Sequence, residues 1–162
     1  MNGSDEKWMA VALDAARGAG AINEVPIGAC IIDAAGNLLA SAGNRTIIDG
    51  DPTAHAEILV LRAAAAMVGN YRLTGTTIYT TIEPCAMCAG ALVNARVKRL
   101  VYGAVDEKYG AVETLFRICD SESLNHRIEI ETGIMAVESR SLMQDFFRRR
   151  RVESKMNKHL RE

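Results

Sequence analysis

His55 and Glu57, two positions apart, and Cys85 and Cys88, three apart after Pro84, are residues whose types and spacing could do chemistry together. One imidazole and two thiolates are three good ligands for Zn²⁺, and Cys-x-x-Cys lets both sulfurs reach one ion at about 2.3 Å. A fourth protein ligand would close the tetrahedron and make the site structural. Without one, the open position takes water, whose pKa the ion lowers from about 15.7 toward about 7. Glu57 then supplies a carboxylate to move that water's protons, a role worth roughly 10²- to 10⁴-fold in rate. The rival readings are a redox Cys-x-x-Cys pair and a structural zinc knot. The redox pair leaves His55-x-Glu57 unexplained, and the remaining candidates for a fourth ligand, Cys30, Cys119, His126 and His159, show no matching spacing. The pattern therefore predicts a catalytic zinc site, with His55, Cys85 and Cys88 as ligands and Glu57 as the proton shuttle.

Such a site needs elements that carry two distant segments to one point. Residues 52–68 are alanine-rich and helical, with Pro52 tolerable in a first turn, and a second helix is expected to open at Pro84 and run to about residue 95. Both halves of the cluster then fall in first turns, where free N–H groups favour thiolate. Helical spacing of Trp8, Met9, Ala12, Leu13 and Ala16 predicts a helix capped at Ser4 or Asp5 and ended by Gly18 and Gly20. Strands are expected over 25–33, 38–42, 76–82, 99–103 and 127–132, the first two joined as a hairpin by Gly36-Asn37, with a polar loop over 45–51. A last helix runs from about 136 into the 150s, with Leu142, Phe146 and Phe147 on its apolar side. Strands alternating with helices, without a repeat, linker or boundary, imply one three-layer α/β/α domain over 1–162.

At 162 residues, 49% hydrophobic and 24% charged, the chain can fill a full-sized core. No apolar run approaches the roughly 20 residues that span a bilayer. Residues 1–7 lack a basic segment followed by an apolar one, so a cytoplasmic location is the default. In that reducing setting Cys30 and Cys119 read as small packed apolar residues. Charge is uneven: residues 148–162 hold seven Lys/Arg against Glu153 and Glu162, a local +5, leaving −6 on residues 1–147 of a total of −1. The overall acidity argues against indiscriminate polyanion binding. The basic end of the last helix is either a solvated face that suits the helix dipole or a directed contact.

His-x-Glu with Pro-Cys-x-x-Cys is the recognised signature of the zinc nucleobase deaminases. Among them the chain closely resembles the bacterial tRNA-specific adenosine deaminases, within the zinc-dependent cytidine/deoxycytidylate deaminase superfamily. The resemblance runs from Trp8 to about Arg151, through Glu24-Val25-Pro26-Ile27-Gly28-Ala29, Asn44-Arg45, Asp51-Pro52-Thr53-Ala54-His55-Ala56-Glu57-Ile58 and Asn70-Tyr71-Arg72-Leu73. It continues through Glu83-Pro84-Cys85-Ala86-Met87-Cys88-Ala89-Gly90-Ala91, Asn125-His126-Arg127 and Asp145-Phe146-Phe147-Arg148. It implies a cytidine-deaminase-like α/β fold with a five-stranded mixed sheet and one Zn²⁺ per subunit. It also implies a homodimer whose subunits both help bind RNA, and conversion of adenosine to inosine at the wobble position in the anticodon arm of tRNA.

The resemblance makes Asn44 the residue that hydrogen-bonds the target base, and gives Ala56 and Pro26 backbone and apolar contact around it. Asp106 and Lys108 fall in a loop beside the RNA, and Arg148 contacts the RNA. Without it, Asn44 is as readily a turn residue, Ala56 and Pro26 packing, Arg148 a solvated helix end, and His126 a core or turn histidine. Met87, Trp8, Phe146 and Phe147 read as core or dimer surface. Val105 and Tyr109 depart from the arginine and threonine of one well-known member, which bears on the loop's fine contacts and not on the chemistry. The closest rival activity is a free-base deaminase such as a guanine deaminase. Asn70-Tyr71-Arg72-Leu73, Asn125-His126-Arg127 and the basic tail favour RNA instead. Nucleoside cytidine deaminases usually open their first motif with cysteine. A non-catalytic, zinc-containing RNA-binding subunit would be marked by loss of the glutamate, and Glu57 is present.

Overall fold

The apolar run Gly28-Ala29-Cys30-Ile31-Ile32 is buried along its whole length, so a layer must cover each of its faces. In the computed structural model, which describes residues 3–161, the order is α1 (Gly3–Ala21), β1 (Gly28–Ile32), β2 (Leu38–Gly43), α2 (Ala56–Val68), β3 (Thr77–Ile82), α3 (Ala86–Asn94), β4 (Arg99–Ala104), β5 (Glu129–Thr132) and α4 (Ala136–His159). Met1, Asn2 and Glu162, the ends of the expected domain and its basic tail, lie outside the described residues. Side chains alternate across the sheet with the period of two that strands impose. Ala29, Ile31, Ile78, Leu100 and Tyr102 pack against α2 and α3 with Val60, Ala64 and Leu92. Cys30, Ile32, Tyr79 and Val101 pack the other way, with Met9 and Leu13 of α1 and Leu142 of α4. The result is the expected three-layer α/β/α architecture.

The sheet is five-stranded and mixed, in the order β2-β1-β3-β4-β5. β1 runs antiparallel to β2 and β3, while β4 is parallel to β3 and β5. The β1–β2 hairpin turns at Gly36, whose φ of 84° suits glycine, and the Asp33 carboxylate accepts the Ala35 and Asn37 N–H groups at 2.9 and 2.8 Å. Gly28 and Gly43 face each other across the hairpin under α1. A Cβ on either would collide with a helix carbonyl, Ala12 for Gly28 and Ala15 for Gly43. The sheet reaches α1 this closely because neither position has a side chain.

Several boundaries differ from expectation, among them the start of α3, which is Ala86 and not Pro84. α1 continues through Gly18 and Gly20 to Ala21, because burial of Ala16 and Ala19 outweighs a glycine cost of about 1 kcal/mol per position. β1 begins at Gly28, not 25: the buried Glu24 carboxylate accepts the Ile48 N–H at 2.6 Å, and a tight turn joins Val25 to Ile27. α2 begins at Ala56, since Asp51 accepts the Thr53 N–H and hydroxyl, both at 2.8 Å, and holds residues 51–54 in a turn. β5 begins at Glu129, two positions after the expected start. Among the described residues no helix is long and apolar enough to cross a membrane.

One buried ion pair ties α1 to the sheet. Asp5, 3% exposed, accepts both Nη1 and Nη2 of Arg99 at 2.7 and 2.9 Å and the Tyr79 hydroxyl at 2.8 Å. The Arg99 guanidinium holds the Asp5 carboxyl below its ordinary range against the opposing push of burial. A depressed folded pKa contributes stability above the unfolded value of about 4, and that stability is lost as pH falls through the folded value. Asp5→Ala leaves Arg99 and Tyr79 without this partner and is expected to cost about 2–3 kcal/mol at neutral pH. Denaturant midpoints measured against pH check it: the gap to wild type narrows below about pH 4.

Candidate metal centre and active site

His55 and Cys85 each stand one residue before a helix. They are the N-caps of α2 and α3, with extended backbone (φ −73°, ψ 150° and φ −73°, ψ 175°), and neither spends its side chain on a helix N–H group. Cys88 lies in the first turn of α3 and Glu57 in that of α2. The expectation of four first-turn residues is thus corrected to two caps and two first-turn residues. The cap conformation turns the imidazole and one thiol off the helix axis, toward each other. His55 Nδ1 lies 3.6 Å from Cys85 Sγ and 3.6 Å from Cys88 Sγ. The three donor atoms all fall within 4.8 Å of one another. A tetrahedral zinc with its usual bond lengths puts nitrogen and sulfur ligands about 3.5 Å apart. The trio therefore fits zinc, through Nδ1. Among the described residues no fourth His, Cys, Asp or Glu joins it.

Glu57 is 4% exposed, and its Oε2 is buried without a hydrogen-bond partner among the described residues. A buried carboxylate oxygen left bare marks a place where a water, ion or substrate group belongs. Burial pushes the Glu57 carboxyl up, against the pull of His55, and a cation held by the trio would oppose that push. The two thiols move in opposite directions because one sulfur donates to the other. Cys85 is brought down to about 4 by the Cys88 thiol and by His55, while that same hydrogen bond, with burial, pushes Cys88 up. The Cys88 backbone N–H and the His55 charge also favour the Cys85 thiolate. The Cys85 sulfur in turn raises the His55 imidazole. Binding of a divalent metal here displaces these protons.

The other residues singled out in the sequence fall into distinct places. Asn44, 5% exposed at the end of β2, accepts the Ala56 N–H through Oδ1 at 2.9 Å, satisfying a first-turn donor of α2 beside Glu57. Asn44 and Ala56 thus sit at the metal centre. Pro26 is buried and lines a cleft between α1 and α4 with Gly20, Leu142, Phe146 and Arg149. Asp106 closes a turn by accepting the Lys108 and Tyr109 N–H groups at 3.0 and 3.1 Å. Lys108 shares a second groove with Met143, Phe147, Arg148 and Arg151 of α4. Phe146 is buried and Phe147 exposed, and Trp8 is half-buried at the α1–α4 side of the sheet.

Sequence reasoning gave Glu83 no role, yet it joins the metal centre to the 105–114 loop. Its buried carboxylate accepts the N–H groups of Asp106 (3.1 Å), Val112 (3.2 Å), Glu113 (2.8 Å) and Thr114 (3.0 Å), and the Thr114 hydroxyl at 2.6 Å. Burial pushes this carboxyl up, and the Thr114 hydroxyl with the backbone donors more than offsets it. A Cβ on Gly110 would run into the carboxylate, which explains the glycine there. The available signal was an acid placed between a buried strand and Pro84-Cys85, where an unpaired charge is costly. Glu83→Ala is expected to speed amide exchange at Asp106, Val112, Glu113 and Thr114 by on the order of 10- to 100-fold, read by hydrogen-exchange NMR.

The alternative ligands lie elsewhere. Cys30 is buried on the α1 side and donates to the Trp8 carbonyl at 3.3 Å, and Cys119 is buried in the core that α2 and α3 cover. Burial pushes both thiols up to about 12, so they behave as small packed residues. His126 donates through Nε2 to the Val97 carbonyl at 2.7 Å, a structural tie. His159 is the last residue of α4.

Comparison with known proteins sharpens these assignments. Residues 2–104 match the family model described as the cytidine and deoxycytidylate deaminase zinc-binding region. A tRNA-specific adenosine deaminase of Haemophilus influenzae is 46% identical over 156 residues, covering 96% of this chain and 90% of that protein. A solved structure of a tRNA:A34 deaminase that performs A-to-I editing at the wobble position superposes with a TM-score of 0.81 at 44% identity, covering 84% of this chain and 98% of that one. A guanine deaminase from Nitrosomonas europaea superposes at 0.76 with 25% identity, covering 87% of this chain and 83% of that one.

Proposed function

The chain belongs to the cytidine and deoxycytidylate deaminase family, and from that membership we propose that it hydrolytically deaminates adenosine to inosine at the wobble position of tRNA anticodons. The chemistry rests on one observation: His55 Nδ1 stands 3.6 Å from both thiol sulfurs, beside a buried Glu57 oxygen without a partner. The choice of substrate rests on the similarity to tRNA-specific relatives along nearly the whole chain.

His55, Cys85 and Cys88 hold the zinc. When bound, the ion supplies the Lewis acidity that lets a water molecule give up a proton near neutral pH. Glu57 would take that proton and deliver it to N1 of the purine as the water oxygen bonds C6, then pass the remaining hydroxyl proton to N6, so that the C6–N6 bond breaks and ammonia leaves. Asn44 hydrogen-bonds the base while its Oδ1 steadies the first turn of α2, and Ala56 gives the base small, apolar surroundings. The expected contact from Pro26 has no support here, since Pro26 lines the cleft between α1 and α4. A loop base suits such a pocket because extruding it costs less than unpairing a helix. Asp106 shapes the turn that presents Lys108, and Lys108 with Arg148 contacts RNA phosphate across their shared groove.

The reading includes a cytoplasmic homodimer whose subunits both help bind RNA. Support for the homodimer is a groove between α2 and α3 whose lining is mainly apolar, Ile58, Leu61, Ala65, Ala91 and Ala95, with Arg62, Tyr71 and Asn94 among them. Incubation of the zinc-loaded protein with an anticodon stem-loop and, separately, with guanine tests the proposal. Inosine at the wobble position, identified by mass analysis of nucleosides, is the expected result. Ammonia from guanine alone would place the chain with the free-base deaminases, and no turnover on either would favour the non-catalytic RNA-binding reading.

A further inference from the structure

α4 spans 24 residues, yet its buried positions are Ser139 and Phe146, and every described residue from Phe147 onward is exposed. The distal half of the helix therefore owes nothing to the core. Its composition is lopsided: residues 148–161 carry seven Lys/Arg against Glu153. Near the body of the domain Arg149 and Arg150 lie over the Phe146 ring at 5.9 and 5.8 Å, and Arg148 pairs with Asp145 at 3.2 Å. Beyond them Arg151, Lys155 and Lys158 follow at steps of four and three along one face of α4, and Arg161, two residues past the helix end, lines a surface groove with Lys158, so the four form one ridge. Like charges at these spacings repel by a few tenths of a kcal/mol per pair, a cost that a polyanion laid on the ridge reverses.

The ridge does not start at random. Arg151 lines the same groove as Lys108 and Arg148, beside the loop that Glu83 fastens to the metal-bearing segment. From Arg148 to His159 the helix extends roughly 16 Å away from that groove. We propose that Arg151, Lys155, Lys158 and Arg161 form a phosphate-binding track for the stem of the RNA whose loop enters the site, an inference that rests on the tRNA reading above. Anionic membrane is the weaker fit. An interfacial helix carries a broad apolar face with aromatics, whereas the apolar residues here are Val152, Met156 and Leu160. A stem offers a regular row of phosphates that cations spaced along a helix can follow without reading sequence.

The test is the salt dependence of binding for wild type and for a K155Q/K158Q/R161Q variant, with an anticodon stem-loop and with a loop-only oligonucleotide that lacks the stem. Each phosphate contact contributes about 0.7–0.9 to the slope of log affinity against log salt. The variant is therefore expected to show a slope shallower by about 2 on the stem-loop. Its KM on that RNA should rise on the order of tenfold at physiological salt, with kcat and loop-only binding unchanged. A K155R/K158R variant should keep the wild-type slope, which separates charge from folding. An unchanged slope in the glutamine variant overturns the track, and so does an equal loss on the loop-only RNA. Sedimentation with phosphatidylserine vesicles that the glutamine variant loses, at unchanged RNA slope, makes the ridge a membrane contact instead. Absence of turnover in wild type counts against the proposed activity alone, because the binding slopes still decide the track.

Discussion

Glu57→Ala is expected to lower deamination of an anticodon stem-loop by roughly 10²- to 10⁴-fold or more, while zinc content stays at the wild-type level. The reasoning separates two kinds of residue in one small site. His55, Cys85 and Cys88 have donor atoms mutually placed for one tetrahedral ion, and Glu57 falls outside that trio. Its removal should therefore leave the metal in place. What is lost is a buried carboxylate whose Oε2 has no other partner in the described structure and which is held above its ordinary pKa range by burial. A group so placed is poised to exchange a proton with a reacting molecule rather than to stabilise a neighbour. Glu57→Gln keeps the shape and removes the proton exchange, so it should fail almost as badly. Metal analysis alongside turnover decides the matter. Full activity in Glu57→Ala would remove the assigned role, and loss of zinc would make the glutamate a ligand.

Cys85→Ala should have the largest effect on the metal itself. Its sulfur is one of the two that lie 3.6 Å from His55 Nδ1, and it is the thiol most strongly biased toward thiolate, down to about 4. Removing it leaves one thiol and one imidazole, too few donors to hold zinc against competition from water and buffer. Zinc content is expected to fall well below one per chain, with turnover below detection. Stability follows, because a ligand bound only to the folded state contributes about 4 kcal/mol at a thousandfold excess over its Kd. The variant should melt at a lower temperature, and its melting should no longer respond to a chelator that destabilises wild type. Cys119→Ala is the control. That thiol is buried away from the trio in the core covered by α2 and α3, so zinc content should not change. A fully metallated Cys85→Ala protein would show that the ion sits elsewhere.

The sequence by itself determined which residues could serve as ligands, which glutamate could carry the proton, and the class of fold. Those depend on local rules. Residues three apart share a helix face, strands alternate with a period of two, and an imidazole with two thiolates is a zinc donor set wherever it is assembled. The assembly was decided by tertiary structure. His55 and Cys85 meet because β2 and β3 flank β1, both antiparallel to it, and so deliver the starts of α2 and α3 to the same end of the sheet. The same arrangement turns Nδ1 of His55 toward the two sulfurs and buries Glu57. Helix starts at 52 and 84 were misplaced because Asp51 holds the chain in a turn before α2, and because His55 and Cys85 act as caps with extended backbone. Glu83 was invisible for a related reason: its five donors come from residues 106–114, far along the chain. Local spacing can name the atoms that react. Their distances, protonation and burial come from contacts between segments that the sequence holds far apart.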